Sequence, residues 1–123
     1  MPLIPEADEQ YLKDKQFDYQ LTQAGPEIHL ILRGWPFPEA YTLRTADVLI
    51  RIPAGYPAGR LDMFYTHPTV MRTTGTFPDR CDQMEAHGGR TWQRWSRHHD
   101  WRDGIDDLRT FITAMTIEIK KGI

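Results

Sequence analysis

The chain contains one cysteine, Cys81, and its surroundings are not those of a packing residue. It lies in TFPDRCDQMEAHGG beside Asp79, Arg80 and Asp82, whereas a structural cysteine usually sits within an apolar run as a small hydrophobe. The polar setting points to a functional thiol. Its neighbouring arginine lowers the pKa and the aspartates raise it, so the sequence predicts no resting thiolate. The histidines are His29, His67, His87, His98 and His99. Cys81, His87, His98 and His99 are zinc-ligand types, but their spacings match no common zinc site and adjacent histidines rarely serve one tetrahedral ion. No metal is expected. A cysteine hydrolase needs a thiol, a positioned histidine and an orienting group, and no spacing brings His67 or His87 to Cys81. The stretch RTWQRWSRHHDWR (90–102) sets Arg90, Arg94, Arg97 and Arg102 among Trp92, Trp95 and Trp101, with Asp100 its one acid. Such a mixture can stack bases and contact phosphates. The simpler expectation is that the tryptophans face the core from one or two helical turns while the arginines are solvated.

The elements that must position these residues are legible in outline. A chain of 123 residues, 40% hydrophobic and 26% charged, fits one domain spanning 1–123 that buries a self-sufficient core. Residues 6–15 are polar and make a short, weakly held helix. Alternation then places Phe17, Tyr19 and Leu21 on one face, and Ile28, Leu30 and Leu32 on one face, with Gly25-Pro26 between them as a tight hairpin turn. A third run, ADVLIRI, ends at Pro53, and a fourth, LDMFYTH (61–67), ends at Pro68, completing a four-stranded antiparallel meander. PAGYPAG (53–59) is a rigid loop, and 69–90 reads as one irregular segment. Ile105, Leu108, Phe111 or Ile112, Met115 and Ile119 recur at helical spacing, predicting a helix over 104–120 with Asp103 as N-cap. The fold class is α+β, the helix covering one sheet face.

Bulk properties exclude several functions. The net charge of −2 gives no whole-molecule attraction to nucleic acid or to an anionic membrane. No apolar run approaches the roughly 20 residues that span a bilayer, and MPLIPEADEQ carries acids where a signal peptide needs a basic flank, so a cytoplasmic protein is expected.

IRIPAGYPAGRLDMFYTHPT, then the lone Cys81, then a tryptophan-containing stretch and an amphipathic C-terminal helix, resembles the ubiquitin-conjugating enzyme superfamily, in particular its small bacterial branch. Tyr56-Pro57 after the third strand, His67-Pro68-Thr69 after the fourth and Cys81 beyond it follow that family's order, with Thr69 standing where the family has asparagine. The resemblance implies a UBC-like domain with a reduced N-terminal helix and an irregular active-site segment. It implies that Cys81 is the nucleophile that accepts a ubiquitin-like modifier as a thioester and passes it to an amine. Thr69 would support the oxyanion in place of asparagine, and Asp82 and Asp100 are candidates for orienting the acceptor. Tyr56, Pro57, His67 and Pro68 would be structural residues near the site. The implied partners are the modifier, an adenylating activating enzyme and a deconjugating metalloprotease of the same system. The chain itself uses no cofactor, ATP being consumed by the activating enzyme. Two rival functions remain: a catalytically inactive binding module on the same fold, and a single-strand nucleic-acid binder acting through residues 90–102.

Overall fold

The computed structural model describes residues 3–123. The chain order is α1 (Glu6–Asp14), β1 (Tyr19–Ala24), β2 (Glu27–Pro36), β3 (Thr45–Ile52), β4 (Phe64–His67), β5 (Gln83–His87), β6 (Arg90–Trp95) and α2 (Leu108–Lys121). The strands form one antiparallel sheet in the order β1-β2-β3-β4-β6-β5.

The expected meander is present as β1 to β4, and Gly25-Pro26 closes the first hairpin between Ala24 and Glu27. The sheet is nevertheless six-stranded rather than four-stranded. The segment expected to be irregular turns at Gly88-Gly89, both at positive φ, and returns as a second hairpin. Two successive left-handed glycines make the tight turn whose twist matches paired strands. Irregular chain is thereby confined to 68–82, between β4 and β5.

The first half of the tryptophan segment, Arg90–Trp95, is strand rather than helix, and 96–102 with Trp101 is irregular. In a strand a spacing of three residues puts side chains on opposite faces. Trp95 joins the main core and Trp92 a smaller cluster with Leu49 and Tyr65 on the other face.

The inner face is apolar because β2 and β3 alternate. Leu30, Leu32, Val48, Ile50 and Phe64 pack there against Leu108, Phe111, Ile112, Met115 and Ile119 of α2. That helix begins four residues later than expected. Gly104 at φ 79 turns the chain, leaving Ile105 60% exposed and outside the stripe. Asp107 rather than Asp103 is the N-cap, its carboxylate accepting from Thr110 N while Thr110 Oγ1 accepts from Asp107 N. Asp106 instead holds Arg102, accepting from its backbone N–H and its guanidinium.

α1 is tied on through Tyr56. The hydroxyl donates to Asp8 Oδ2 at 2.6 Å and accepts the Leu108 N–H at 2.6 Å, so the loop after β3 grips both helices. The Tyr56-Pro57 and His67-Pro68 peptide bonds are both cis. Among the described residues no helix is long and apolar enough to cross a membrane.

Candidate active site

Cys81 lies on the crossing from β4 to β5, two residues before β5, and its side chain turns into the main core. Its relative exposure is 0%. Burial pushes the thiol up to about 12, and the Arg97 guanidinium offsets only part of that. Sγ donates to Asp79 O at 3.3 Å, and Arg97 Nη2 stands 3.8 Å from it. Cys81 is therefore a neutral, shielded thiol at rest, since the charged form would lose its hydration with one cation to compensate.

The arrangement around it is specific. The Gln93 carboxamide is buried and fully used: Oε1 accepts from Thr66 Oγ1 and Val70 N, while Nε2 donates to Val70 O and Cys81 O. Trp95 Nε1 donates to Thr66 Oγ1 at 2.9 Å. One side chain on β6 thus fixes the chain just after His67-Pro68-Thr69 and fixes the Cys81 backbone. Such a network rigidifies when every member is satisfied and is costly to break. On the other side Tyr41 Oη donates to Ile119 O, and Arg72 Nε donates to Gly122 O, pinning the last turn of α2.

Beside the thiol is a cavity of about 370 Å³ lined by Asp79, Arg80, Ser96, Arg97, Glu118 and Lys121. Its charge balance is cationic, and Arg80 and Lys121 form no ion pair among the described residues. Arg97 is not the solvated residue expected. Its side chain is 12% exposed and its guanidinium lies 5.4 Å from the Trp95 ring centroid.

The other candidates separate. His67 Nδ1 is 3.0 Å from Thr91 O and its ring meets Trp92 edge-on, which holds the end of β4 to β6. Pro68 and Thr69 are exposed. Asp82 is exposed beside Cys81 and does not line the cavity. Asp100 lines a different cavity, with His99, Trp101 and Phe111, near the start of α2. Tyr56 and Pro57 also stand at that end, where Trp101 Nε1 donates to Pro57 O. From Leu108, which Tyr56 holds, to Glu118 beside Arg97 is about 15 Å along a helix. Tyr56, Pro57 and Asp100 are therefore remote from the thiol they were expected to border.

Cys81, His87, His98 and His99 do not converge: among the described residues no three His, Cys, Asp or Glu side chains gather as a metal site would require. His87 pairs with Glu85 and His98 with Asp62. Three of the residues that set the thiol's surroundings, Gln93, Tyr41 and Arg72, were not singled out by sequence. The available signal for Gln93 was its place one residue after the outward Trp92, which turns it inward.

A family model described as prokaryotic E2 family E matches residues 4–121 of the chain. No curated protein matches it. No solved structure matches it either.

Proposed function

Since the chain belongs to prokaryotic E2 family E, a ubiquitin-conjugating-enzyme-like family, we propose that it carries a ubiquitin-like modifier as a thioester on Cys81. The observation that carries this reading is the place of Cys81. It lies on the β4–β5 crossing, with a guanidinium 3.8 Å from Sγ and a cationic cavity alongside.

In the first step Cys81 sulfur attacks the glycyl thioester carbonyl on the activating enzyme. A new C–S bond forms, the old one breaks, and the proton of the Cys81 thiol ends on the departing thiol. In the second step an acceptor amine attacks the same carbonyl, forming an amide and giving up one proton. Cys81 leaves as thiolate and is reprotonated. Covalent catalysis divides one hard acyl transfer into two easier ones. Because the thioester is already reactive, strong activation of the resting thiol is unnecessary. Arg97 steadies the transient thiolate, as a neighbouring cation does.

Charging requires residues 78–82 to lift, because Sγ is sealed in the core at rest. Thr69, following the turn that Gln93 helps hold, is assigned to oxyanion support, and Asp82, adjacent to the thiol in sequence, to orienting the amine. The partners are the modifier and its adenylating enzyme, with a deconjugating metalloprotease in the same system. ATP is spent on the activating enzyme. The reaction belongs to the cytoplasm, where the thiol stays reduced.

The complete burial of Cys81 favours a second reading, a binding module that keeps the conjugating fold without the chemistry. A charging assay separates the two. The chain is mixed with ATP, activating enzyme and modifier from the same genome and run on non-reducing gels, with Cys81→Ala in parallel. A reductant-sensitive adduct that needs ATP and Cys81 supports the carrier. No adduct, while the activating enzyme charges itself, rejects the carrier in favour of the binding module.

A further inference from the structure

β5 is a free sheet edge that leads to the proposed nucleophile. It is the last strand of the sheet, among the described residues it pairs only with β6, and it begins two residues after Cys81. The phase of its hydrogen bonds follows from the turn. Gly88 and Gly89 form a two-residue hairpin loop, so the flanking His87 and Arg90 are a hydrogen-bonded pair and the bonded pairs recur every second residue. Gln83, Glu85 and His87 therefore spend their backbone groups on β6. Met84 and Ala86 direct theirs outward, and both residues are exposed.

Two of the devices that protect an edge are missing here, although the strand is short and carries Glu85. β5 carries neither proline nor lysine, and among the described residues no side chain caps the backbone of Met84 or Ala86. The opposite edge, β1, is partly stoppered: Arg33 Nη2 donates to Tyr19 O, and Tyr19 Oη donates to Glu9 in the first turn of α1.

Direction adds a constraint. β5 runs away from Cys81, so an extended chain added antiparallel to it would run toward Cys81 and finish there. Its carboxyl end would arrive where Arg80, Arg97 and Lys121 outnumber Asp79 and Glu118. An added strand takes its binding from main-chain hydrogen bonds, which suits an extended tail of variable side chains.

We infer that β5 is the docking strand for the C-terminal tail of the modifier, which adds antiparallel to it through Met84 and Ala86 with its carboxyl terminus at the cationic cavity. The inference rests on the thioester reading for its occupant, and the test keeps the two apart. The probe is a fluorescein-labelled synthetic octapeptide of alternating valine and threonine ending in Gly-Gly with a free carboxylate. Its C-terminally amidated form is the control.

The expected result is saturable binding in which the amide protons of Met84 and Ala86 become protected from exchange with solvent. The amidated peptide should bind severalfold more weakly, with the difference narrowing as salt rises. Ala86→Pro, tolerated on an edge because the lost N–H faces solvent, should weaken binding at least tenfold. Unchanged exchange at Met84 and Ala86 on saturation of the wild-type protein overturns the inference, whether or not the proline variant folds. So does the absence of binding at millimolar peptide. Protection of both amides in the free protein that grows with its concentration overturns it too, by assigning the edge to a second copy of this chain. Peptide on the edge without Cys81-dependent charging would sink the thioester reading and leave the docking strand standing. Normal charging of wild type and Ala86→Pro, with both amides exchanging freely, would do the reverse.

Discussion

The two faces of the sheet are built on opposite principles. The inner face is dry: Leu30, Ile50, Phe64, Trp95 and α2 enclose it, and its polar members, Thr66 and Gln93, have their hydrogen bonds made inside. The outer face has an apolar floor of Ile31, Leu49, Tyr65 and Trp92, covered by a mesh of charges. There Arg51 bonds Glu27, Arg94 bonds Glu85, and His29 and His87 lean on the same two glutamates. Hydrogen bonds from Arg51 hold the Glu27 carboxyl below its usual range; for Glu85, burial acts in the opposite direction but is outweighed by His87 and Arg94. The same sheet thus keeps carboxylates ionised on one side and a thiol un-ionised on the other. The difference teaches that Cys81 takes its chemical state chiefly from its burial in the inner core, with Asp79 adding to the same direction.

Large-to-small substitution gives the widest contrast. Trp95 stacks on Phe64 with ring centroids 5.1 Å apart and contacts Tyr41 and Phe37, so Trp95→Ala should cost about 4–5 kcal/mol in urea unfolding. Trp92→Ala, at a ring covered by the partly exposed Arg90, should cost about 3 kcal/mol. Equal losses would break the contrast between the faces. Gln93→Leu keeps the volume but orphans buried groups at Val70, Thr66 and Cys81. We expect a loss of about 3 kcal/mol and faster alkylation of Cys81 in the native protein.

Alkaline pH sharpens the contrast further. Burial raises the Cys81 thiol from 9.0 to about 12 and the Tyr41 hydroxyl from 10.0 to about 12. A folded pKa above the unfolded one means the native state holds the proton longer. The associated stability is complete below the unfolded value and is lost as pH climbs to about 12, from 9.0 for Cys81 and from 10.0 for Tyr41, by up to about 1.4 kcal/mol per pH unit for each group. Unfolding midpoints taken across that range should fall, and Cys81→Ala should flatten the fall. The smallest effect belongs to the outer mesh. Arg51→Ala should cost about 1 kcal/mol at low salt and less at high salt, because the pair it breaks is partly exposed. A cost insensitive to salt would mean that the mesh is structural rather than electrostatic.

Alternation exposed β1 to β3 and the Gly25-Pro26 turn because both faces of those strands are apolar or sharply patterned. It did not expose β5. QMEAH has one large apolar residue, and its outer face is held by Glu85 and His87 through ion pairs, which leave no hydrophobic period. The Gly88-Gly89 turn carried the signal for the second hairpin, but among the scattered prolines and glycines of 69–90 it read as disorder of pattern. At α2 the stripe was legible from Leu108 onward, while Ile105 fitted the period and lies outside the helix. At the site, the position of Cys81 was visible and its burial was not. Its covering groups, Tyr41, Arg72 and Ile119, come from stretches far apart in the chain, and local composition carries no record of them.

The hydroxyl of Tyr56 closes two long loops at once, one of 48 residues to Asp8 and one of 52 to Leu108. Contacts of such sequence separation carry a loop-closure entropy that short hairpins do not, and they raise the contact order that slows folding. α1, polar and nine residues long, is too short to persist in water by itself. The hairpins, built from local contacts, are expected to form before both helices are drawn to a single phenol. Opening the β3–β4 loop in the native protein would free the N-terminal turns of two helices together, so hydrogen exchange at both should rise in step when Tyr56→Phe removes the hydroxyl.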